Sequence, residues 1–354
     1  MNDKTVEARN DLWKAIVANF TNQASCHKID SMKMKFRMVK ISEVDREDHR
    51  FRFSLKRVDE RILTGIKEAG ILQPLLVILR EGRLIMVDGW SRLEAAQSCC
   101  VEELPVFELD SRMGDLRAFQ LAFFINYSQH RFSLAEKALA ARRFLEFKMP
   151  AEEIIERILP LLELPPLKKT LELLLEISSL DGKSIEMIHR KDWKPVTADL
   201  WLRFLPEERN WMLRLMERLT HNQQHELIET FYSVKKLTGV GPEVIVREKG
   251  LDGITDSLRK GESAAFDRLL AELRKITSPL RSRLNEELSE KIKELRLPLK
   301  VQVDYDRTLE KPGVKISFEA RSARQLGEII KSLSENFSQN DWDSIFQLLN
   351  YRGD

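Results

Sequence analysis

A strand–glycine–helix pattern over residues 84–96 is the part of this sequence best suited to chemistry. Residues 84–87 are apolar, and an alanine-bearing amphipathic segment begins just after Gly89. This pattern predicts a buried strand, a tight turn and the start of a helix, with Arg92 in its first turn. Free backbone N–H groups, the positive end of the helix dipole and one guanidinium would then meet in a small volume suited to holding phosphate.

Several short elements must position this turn. Two apolar runs, 75–79 and 84–87, flank a four-residue segment whose Gly82 can supply a positive φ, which predicts a β-hairpin. Helical periodicity and further strand patterns complete an α/β unit of about a hundred residues. These further elements are a strand over 37–41, a helix over 58–69 and a strand over 104–109.

Size and composition limit the class of protein. The chain has 354 residues, of which 43% are hydrophobic and 32% are charged, as expected for two or three globular domains. No apolar run approaches the ~20 residues that cross a bilayer. Three cysteines, two of them adjacent at Cys99 and Cys100, suit neither a disulfide framework nor a metal site. The sequence therefore predicts a cytoplasmic protein without a membrane segment, and its net charge of +2 means that any nucleic-acid surface is local.

The order of patterns predicts an α+β multidomain fold. An α/β domain is followed by an almost wholly helical region with frequent prolines, a glycine-rich linker, and a helix–strand–strand–helix unit. The predicted segments are an N-terminal lead-in over 1–35, the α/β domain over 36–113, the helical domain over 114–238, the linker over 239–262 and the C-terminal helix and dimerisation domain over 263–354.

Three segments together resemble the ParB type of DNA partition protein. They lie in order over roughly residues 36–148, and the C-terminal stretch 284–333 is similar to the small dimerisation unit of that family. The three segments are Gly70-Ile-Leu-Gln-Pro-Leu-Leu-Val77, Gly89-Trp-Ser-Arg-Leu-Glu-Ala-Ala96 and Asn126-Tyr-Ser-Gln-His-Arg-Phe-Ser-Leu-Ala-Glu-Lys-Ala138.

The resemblance implies a ParB/sulfiredoxin-like nucleotide-binding domain, a helix-turn-helix domain and a dimeric C-terminus. In that family, binding and hydrolysis of CTP with Mg²⁺ gate the closure of a clamp on DNA, and a partition ATPase is a partner. Gly89 and Arg92 match the phosphate motif, with Ser91 between them, and Gln73 and Asn126 match residues that shape the nucleotide pocket.

Departures from the family pattern bear on hydrolysis. The family's Gly-Glu-Arg-Arg is Gly89-Trp-Ser-Arg92 here, and Ile125 stands where an acidic residue precedes Asn126. Hard cations bind oxygen ligands, so these changes weaken the case for Mg²⁺ and leave CTP hydrolysis open. Gln129 stands where the third motif has arginine, and we expect Arg131 to substitute for it. The loop has no cysteine, which argues against sulfiredoxin activity.

A DNA interface is predicted at the second of two helices. The segments 152–164 and 167–176 correspond to a helix-turn-helix, whose second helix would bring Lys168, Lys169 and Thr170 to DNA. Residues 133–194 carry 11 basic and 11 acidic side chains. A phosphate-binding surface usually has excess positive charge, so a helical core with solvated charges is an equally good interpretation.

These patterns predict a bacterial, nucleoid-associated, ParB-like protein that binds double-stranded DNA as a homodimer and acts in partition or related regulation. One alternative is a nucleotide-dependent phosphotransferase or nuclease, for which Asp88 and Glu94 are the acidic candidates near Arg92. A second alternative is an interaction module that has lost nucleotide binding. No metal is expected, because the pair His221 and His225 has no third ligand.

Overall fold

The computed structural model describes residues 34–295, 297, 301–307, 309, 311, 313–335 and 338–350. The apolar spacing of residues 12–20 predicts a helix that lies outside these residues. The chain divides into two compact units, Met1–Leu202 and Arg203–Asp354. Among the described helices, none is both long and apolar enough to cross a membrane.

In the described part of the first unit, five strands form one mixed sheet in the order β1-β5-β3-β4-β2. The pairs β1/β5 and β3/β4 are antiparallel, whereas β3/β5 and β2/β4 are parallel. A short 3₁₀ helix, Ile41–Glu43, lies between the first two strands. The strands are β1 (Met34–Lys40), β2 (Val44–Asp45), β3 (Leu75–Arg80), β4 (Arg83–Asp88) and β5 (Glu103–Leu109).

The predicted hairpin is confirmed between β3 and β4. Arg80 pairs with Arg83, and the two turn residues Glu81 and Gly82 have φ values of 50° and 79°. Positive φ at both central residues matches the right-handed twist of the flanking strands. The hairpin therefore places the end of β4 beside the start of β3, where Asp88 pairs with Leu76.

Helix α2 (Trp90–Ser98) packs against this sheet and completes its core, and α1 (Glu60–Ala69) packs against α2. Helix α1 is N-capped by Asp59, and α2 begins directly after β4. Leu93 and Ala96 of α2 are buried against apolar side chains of the central strands. Fully burying a leucine side chain such as that of Leu93 stabilises the fold by about 1.5–3 kcal/mol.

The rest of the first unit is helical. The spacing of Ser133 and Glu136 predicts a capping box, and α4 begins with it: Ser133 Oγ accepts from the Glu136 N–H and Glu136 Oε2 accepts from the Ser133 N–H. The helices are α3 (Asp115–Gln129), α4 (Leu134–Glu146), α5 in three consecutive pieces (Ala151–Glu153, π-helical Ile154–Ile158, Leu159–Leu161), α6 (Lys168–Ser178), α7 (Gly182–Arg190) and α8 (Pro195–Leu202).

The second unit begins with helices, including two within the predicted linker. Gly239 ends one helix with φ 73° and Pro242 starts the next, so glycine and proline mark helix ends here. Ile245, Val246 and Leu258 of the linker region are buried. The predicted domain bounds stay a prediction. The helices are α9 (Pro206–Met216), α10 (His221–Thr238), α11 (Pro242–Glu248), α12 (Asp252–Lys260), α13 (Ser263–Thr277) and α14 (Pro279–Glu294).

The helical pattern that predicts one helix from about 263 to 295 is interrupted. Ser278, with φ −148°, separates α13 from α14, and Pro279 is the first residue of α14. The residue before a proline is driven out of the α region and proline lacks an N–H, so the helix ends there.

The predicted C-terminal hairpin is confirmed, but its packing differs. Strands β6 (Val301–Tyr305) and β7 (Val314–Phe318) pair antiparallel, and α15 (Ala323–Glu335) and α16 (Gln339–Leu349) follow. The apolar spacing of residues 322–333 predicts that α15 packs on this hairpin, but the buried residues of the core against which the strands pack lie on α14, at its C-cap and on α16. They are Leu288, Leu295, Trp342, Ile345 and Leu349.

Candidate functional site

The turn between β4 and α2 requires a glycine. Gly89 is the N-cap of α2 with φ +105°. A Cβ atom at this position would lie 3.2 Å from both Arg92 Nη2 and Leu75 Cγ. Backbone strain and contact therefore both disfavour other residues. The predicted strand, turn and helix start are confirmed, and the first turn of α2 presents its N–H groups beside Arg92.

Arg92 is held on two sides by protein groups. Nη1 donates to Gln73 O at 3.1 Å, to Gln73 Oε1 at 3.2 Å and to Pro74 O at 3.3 Å, and Nη2 donates to Asp88 Oδ2 at 3.2 Å. Burial lowers the pKa of Arg92, and the Asp88 carboxylate partly opposes that shift. The guanidinium therefore ties the segment before β3 to the first turn of α2.

Asp88 joins a third segment to this network. Its Oδ1 accepts from Asn126 Nδ2 at 2.7 Å, and the same amide nitrogen donates to Ala122 O at 2.9 Å. The structure thus brings together the predicted residues Gln73, Arg92 and Asn126, with Asp88 between the last two. The i, i+4 spacing of Asp88 and Arg92 was the sequence signal for their pairing, but nothing in the sequence marked Asp88 as the common partner.

A cavity of about 220 Å³ lies beside this network. Among the described residues, Arg52, Lys56 and Arg92 are the basic residues that line it, and Asp88 is the one acidic residue. The cavity therefore has an excess of positive charge and suits an anion. Its lining includes Phe51, Arg52, Phe53, Ser54, Lys56, Gln73, Asp88, Gly89, Trp90, Ser91, Arg92, Asn126 and Gln129.

Trp90 lines the cavity, and the side chains of Arg52 and His49 lie beside its ring. The Arg52 guanidinium carbon lies 5.0 Å from the Trp90 ring centroid, and Arg52 is paired with Glu94 at 2.7 Å. The His49 ring is 4.9 Å away, tilted by 44°. Trp90 Nε1 is buried and has no hydrogen-bond partner among the described residues. The indole N–H is thus a donor that a ligand could use.

Two other predicted site residues differ in their placement. Ser91 lines the cavity and donates from Oγ to Lys56 O at 3.2 Å. Arg131 does not line the cavity; its side chain is 81% exposed and lies 3.4 Å from Glu163. The expected substitution by Arg131 is not supported, because α3 ends at Gln129 and the chain turns away before Arg131.

A second network, around Glu136, supports the cavity wall. The buried Glu136 carboxylate accepts from Ser54 Oγ and from the Leu55 N–H, each at 3.0 Å. Burial raises its pKa, but His130 Nε2 at 3.5 Å, the N–H groups of Ser133 and Leu55, and His189 lower it to about 2. The carboxylate is therefore charged in the fold, and it fixes the segment that lines the cavity.

The predicted DNA-contacting residues lie at the start of α6. Lys168 and Lys169 are exposed and Thr170 is half-buried. Lys168 Nζ is 3.7 Å from Glu172, whose side chain is 56% exposed. Apolar residues of α6 are buried on its other side, where it packs against α4. The N-terminal turn of α6 is thus accessible to a partner.

The acidic pair needed by the enzyme alternative is not free. Asp88 is paired with Arg92 and Glu94 with Arg52. The described residues contain no group of three side chains that could hold a metal ion. The Arg92 guanidinium lies 3.2 Å from Asp88 Oδ2, offsets its charge and would repel a cation there, so the described lining of this cavity does not fit the Mg²⁺ that the resemblance implies.

Comparison with known proteins finds relatives in sequence. No family model matches the chain. The chromosome-partitioning protein Spo0J of Thermus thermophilus is 28% identical over 165 residues, which are 47% of this chain and 58% of that protein. A probable chromosome-partitioning protein ParB of Borreliella burgdorferi is 26% identical over 159 residues, 44% of this chain and 58% of that protein. The chain thus spans about three fifths of the length of these relatives, and it is similar to them over that part.

Solved structures give weaker similarities. A C-terminally truncated ParB from Caulobacter crescentus complexed with CTP-gamma-S has a TM-score of 0.25 and 17% identity, covering 52% of this chain and 99% of that one. A Pnob8-like ParB-N domain has a TM-score of 0.34 and 15% identity, covering 74% of this chain and 98% of that one. These TM-scores are too low to carry an argument about this chain.

Proposed function

We propose that this chain is a ParB-like DNA-binding protein that acts in partition and holds the phosphates of a nucleotide in the cavity beside Arg92. The observation that carries the proposal is the convergence of Gln73, Arg92 and Asn126, which come from three separate segments that resemble the family. The excess of basic lining residues and the N–H groups at the start of α2 support an anionic ligand. The resemblance makes CTP the first nucleotide to test.

Equilibrium binding of CTP and ATP, with and without duplex DNA, tests the nucleotide part. Arg92→Ala removes the buried guanidinium, and we expect at least a tenfold loss of CTP affinity, since a charge-assisted hydrogen bond contributes about 1.5–3 kcal/mol. The matched control is Arg112→Ala, whose side chain is 83% exposed and outside the cavity. Absence of CTP binding to the unsubstituted protein, with DNA or without it, refutes this part.

The DNA part of the proposal places α5 and α6 as a helix-turn-helix. Exposed Lys168 and Lys169 stand at the start of α6, where a second helix would meet the major groove. Each phosphate contact that is lost should lower the slope of log affinity against log salt by about 1. We expect that result for Lys168→Ala and Lys169→Ala but not for Lys67→Ala on α1. Equal slopes in all three variants would contradict this role for α6.

The homodimer is proposed at β7 and α15. Ile316 and Phe318 on β7 are 43% and 39% exposed, and Leu326 and Ile330 on α15 are 41% and 53% exposed. A second copy of this chain would cover these apolar side chains and extend a hairpin that is only marginally stable with two strands. Sedimentation should show a dimer that Ile330→Glu dissociates and that the control Ser334→Glu, on the same helix, leaves intact. A dimer unaffected by Ile330→Glu would place the contact elsewhere.

A further inference from the structure

Asp88 lies where its negative charge opposes the binding of an anion to Arg92. Its Oδ2 lies 3.2 Å from Arg92 Nη2, and its side chain is only 12% exposed. Asn126 holds the other oxygen at 2.7 Å, so the carboxylate cannot turn away from Arg92 without losing that bond. Two opposite charges are thus fixed against each other at the edge of the cavity.

We propose that Asp88 competes with the phosphates of the ligand for Arg92, and that the ligand enters as the metal-free polyphosphate. This inference rests on the proposed nucleotide function and adds to it the form of the ligand and the residue that limits its affinity. A phosphate that reaches Nη2 must displace the carboxylate or lie beside it, and both cost free energy because like charges repel. Arg92 therefore exchanges partners when the anion binds.

The metal-free form follows from the oxygen atoms that the cavity offers. Mg²⁺ in nucleotide sites is usually bound by one or two carboxylates together with the phosphates. Among the described residues, Asp88 is the one carboxylate that lines this cavity, and its Oδ2 already lies 3.2 Å from Arg92 Nη2. Mg²⁺ bound to Asp88 would lie against the positive guanidinium, which repels it.

Donors remain for the phosphates without a metal. Arg92 Nε has no hydrogen-bond partner among the described residues and faces Gly89, where a Cβ atom would lie only 3.4 Å away. The N–H groups in the first turn of α2 lie on the same side, and Lys56 and Arg52 add positive charge to the lining. These groups can hold a phosphate while Asp88 still limits its affinity.

The test uses inorganic triphosphate and CTP as probes in calorimetric titrations of the full chain, each in EDTA and in Mg²⁺. Asp88→Asn keeps an oxygen to accept from Asn126 but removes the negative charge. At about 6 Å and an effective dielectric of about 20, that charge opposes an anion strongly enough that we expect roughly tenfold tighter binding after solvent screening. The matched control is Asp110→Asn, which removes the same charge outside the cavity and should bind like the unsubstituted protein.

The outcomes separate this proposal from the proposed function. Equal or weaker binding by Asp88→Asn overturns the competition while the nucleotide site stands. If the unsubstituted protein binds the probes only with Mg²⁺, the metal-free form is overturned. If that dependence on Mg²⁺ disappears in Asp88→Asn, Asp88 is a metal ligand. If no protein binds either probe, the nucleotide part of the proposed function fails, and this proposal fails with it.

Discussion

Replacing Glu136 by glutamine keeps the shape of the side chain but removes the charge that holds the cavity wall. The carboxylate accepts from the Leu55 N–H and the Ser133 N–H, each at 3.0 Å, and from Ser54 Oγ at 3.0 Å. The amide of glutamine puts a donor where one oxygen stood, so a buried N–H loses its acceptor. A hydrogen bond to a charged group contributes about 1.5–3 kcal/mol, and an unsatisfied buried donor costs about 1–3 kcal/mol. We expect the wall to lose about 3 kcal/mol of local stability.

Hydrogen exchange measured by mass spectrometry reports this loss locally. Because 1.36 kcal/mol corresponds to a factor of ten, amides in the segment 51–57 should exchange about a hundredfold faster in Glu136→Gln. The matched control is Glu146→Gln on the same helix, whose side chain is 39% exposed and pairs with two arginines. An exposed pair contributes at most about 1 kcal/mol. Equal exchange in the two variants would refute the role given to Glu136.

The pH dependence of the same difference gives a second check. The pKa of Glu136 falls from its ordinary value of 4.5 to about 2 in the fold. A carboxyl with a lowered pKa stabilises the fold above its unfolded value, and that contribution is lost as pH falls through the folded value. The unsubstituted protein should therefore be more stable than Glu136→Gln at pH 5, and the difference should shrink between about pH 4.5 and pH 2. A difference that does not change over this range would contradict the assigned charge.

Three further substitutions test the packing that supports the site. Gly89→Ala should lower the free energy of unfolding by about 2 kcal/mol in urea titrations, since alanine at φ +105° is strained. Arg80→Ala removes a side chain that is 18% exposed and paired with Asp115 at 2.7 Å, and it should cost more in the same titration than Arg83→Ala, whose side chain is 75% exposed. Ile345→Ala, at a position with no exposure, should cost about 2–5 kcal/mol in thermal unfolding, and a loss below 1 kcal/mol would mean that α16 does not complete the core of the hairpin.

Local signals in the sequence predicted the elements that carry the site. The apolar run before Gly89 and the alanine-bearing segment after it predicted β4, its turn and α2, because these elements depend on residues near in sequence. The capping box at Ser133 and Glu136 likewise marked the start of α4. The resemblance supplied Gln73 and Asn126, which periodicity alone would not have selected.

The errors have physical causes as well. Proline disfavours a continuous helix, but the apolar spacing on both sides of Pro279 favoured one helix over the whole segment. Helix α16 was missed, although Trp342, Ile345 and Leu349 follow helical spacing. The placement of Arg131 depends on the extended backbone of His130, with φ −158° and ψ 159°, which no local pattern signals.

The partners of the site residues could not be predicted because the cavity wall has no regular secondary structure. Residues 52–59 lie in neither a helix nor a strand, so side-chain bonds from distant segments fix their position. Ser54 and Leu55 are held by Glu136 of α4, and Arg57 is paired with Glu186 of α7 at 2.6 Å. The wall of the cavity is therefore held by α4, which packs against α6, and by α7, which packs against α4. Any ligand that displaces the wall must break the hydrogen bonds of Ser54 and Leu55 to the Glu136 carboxylate.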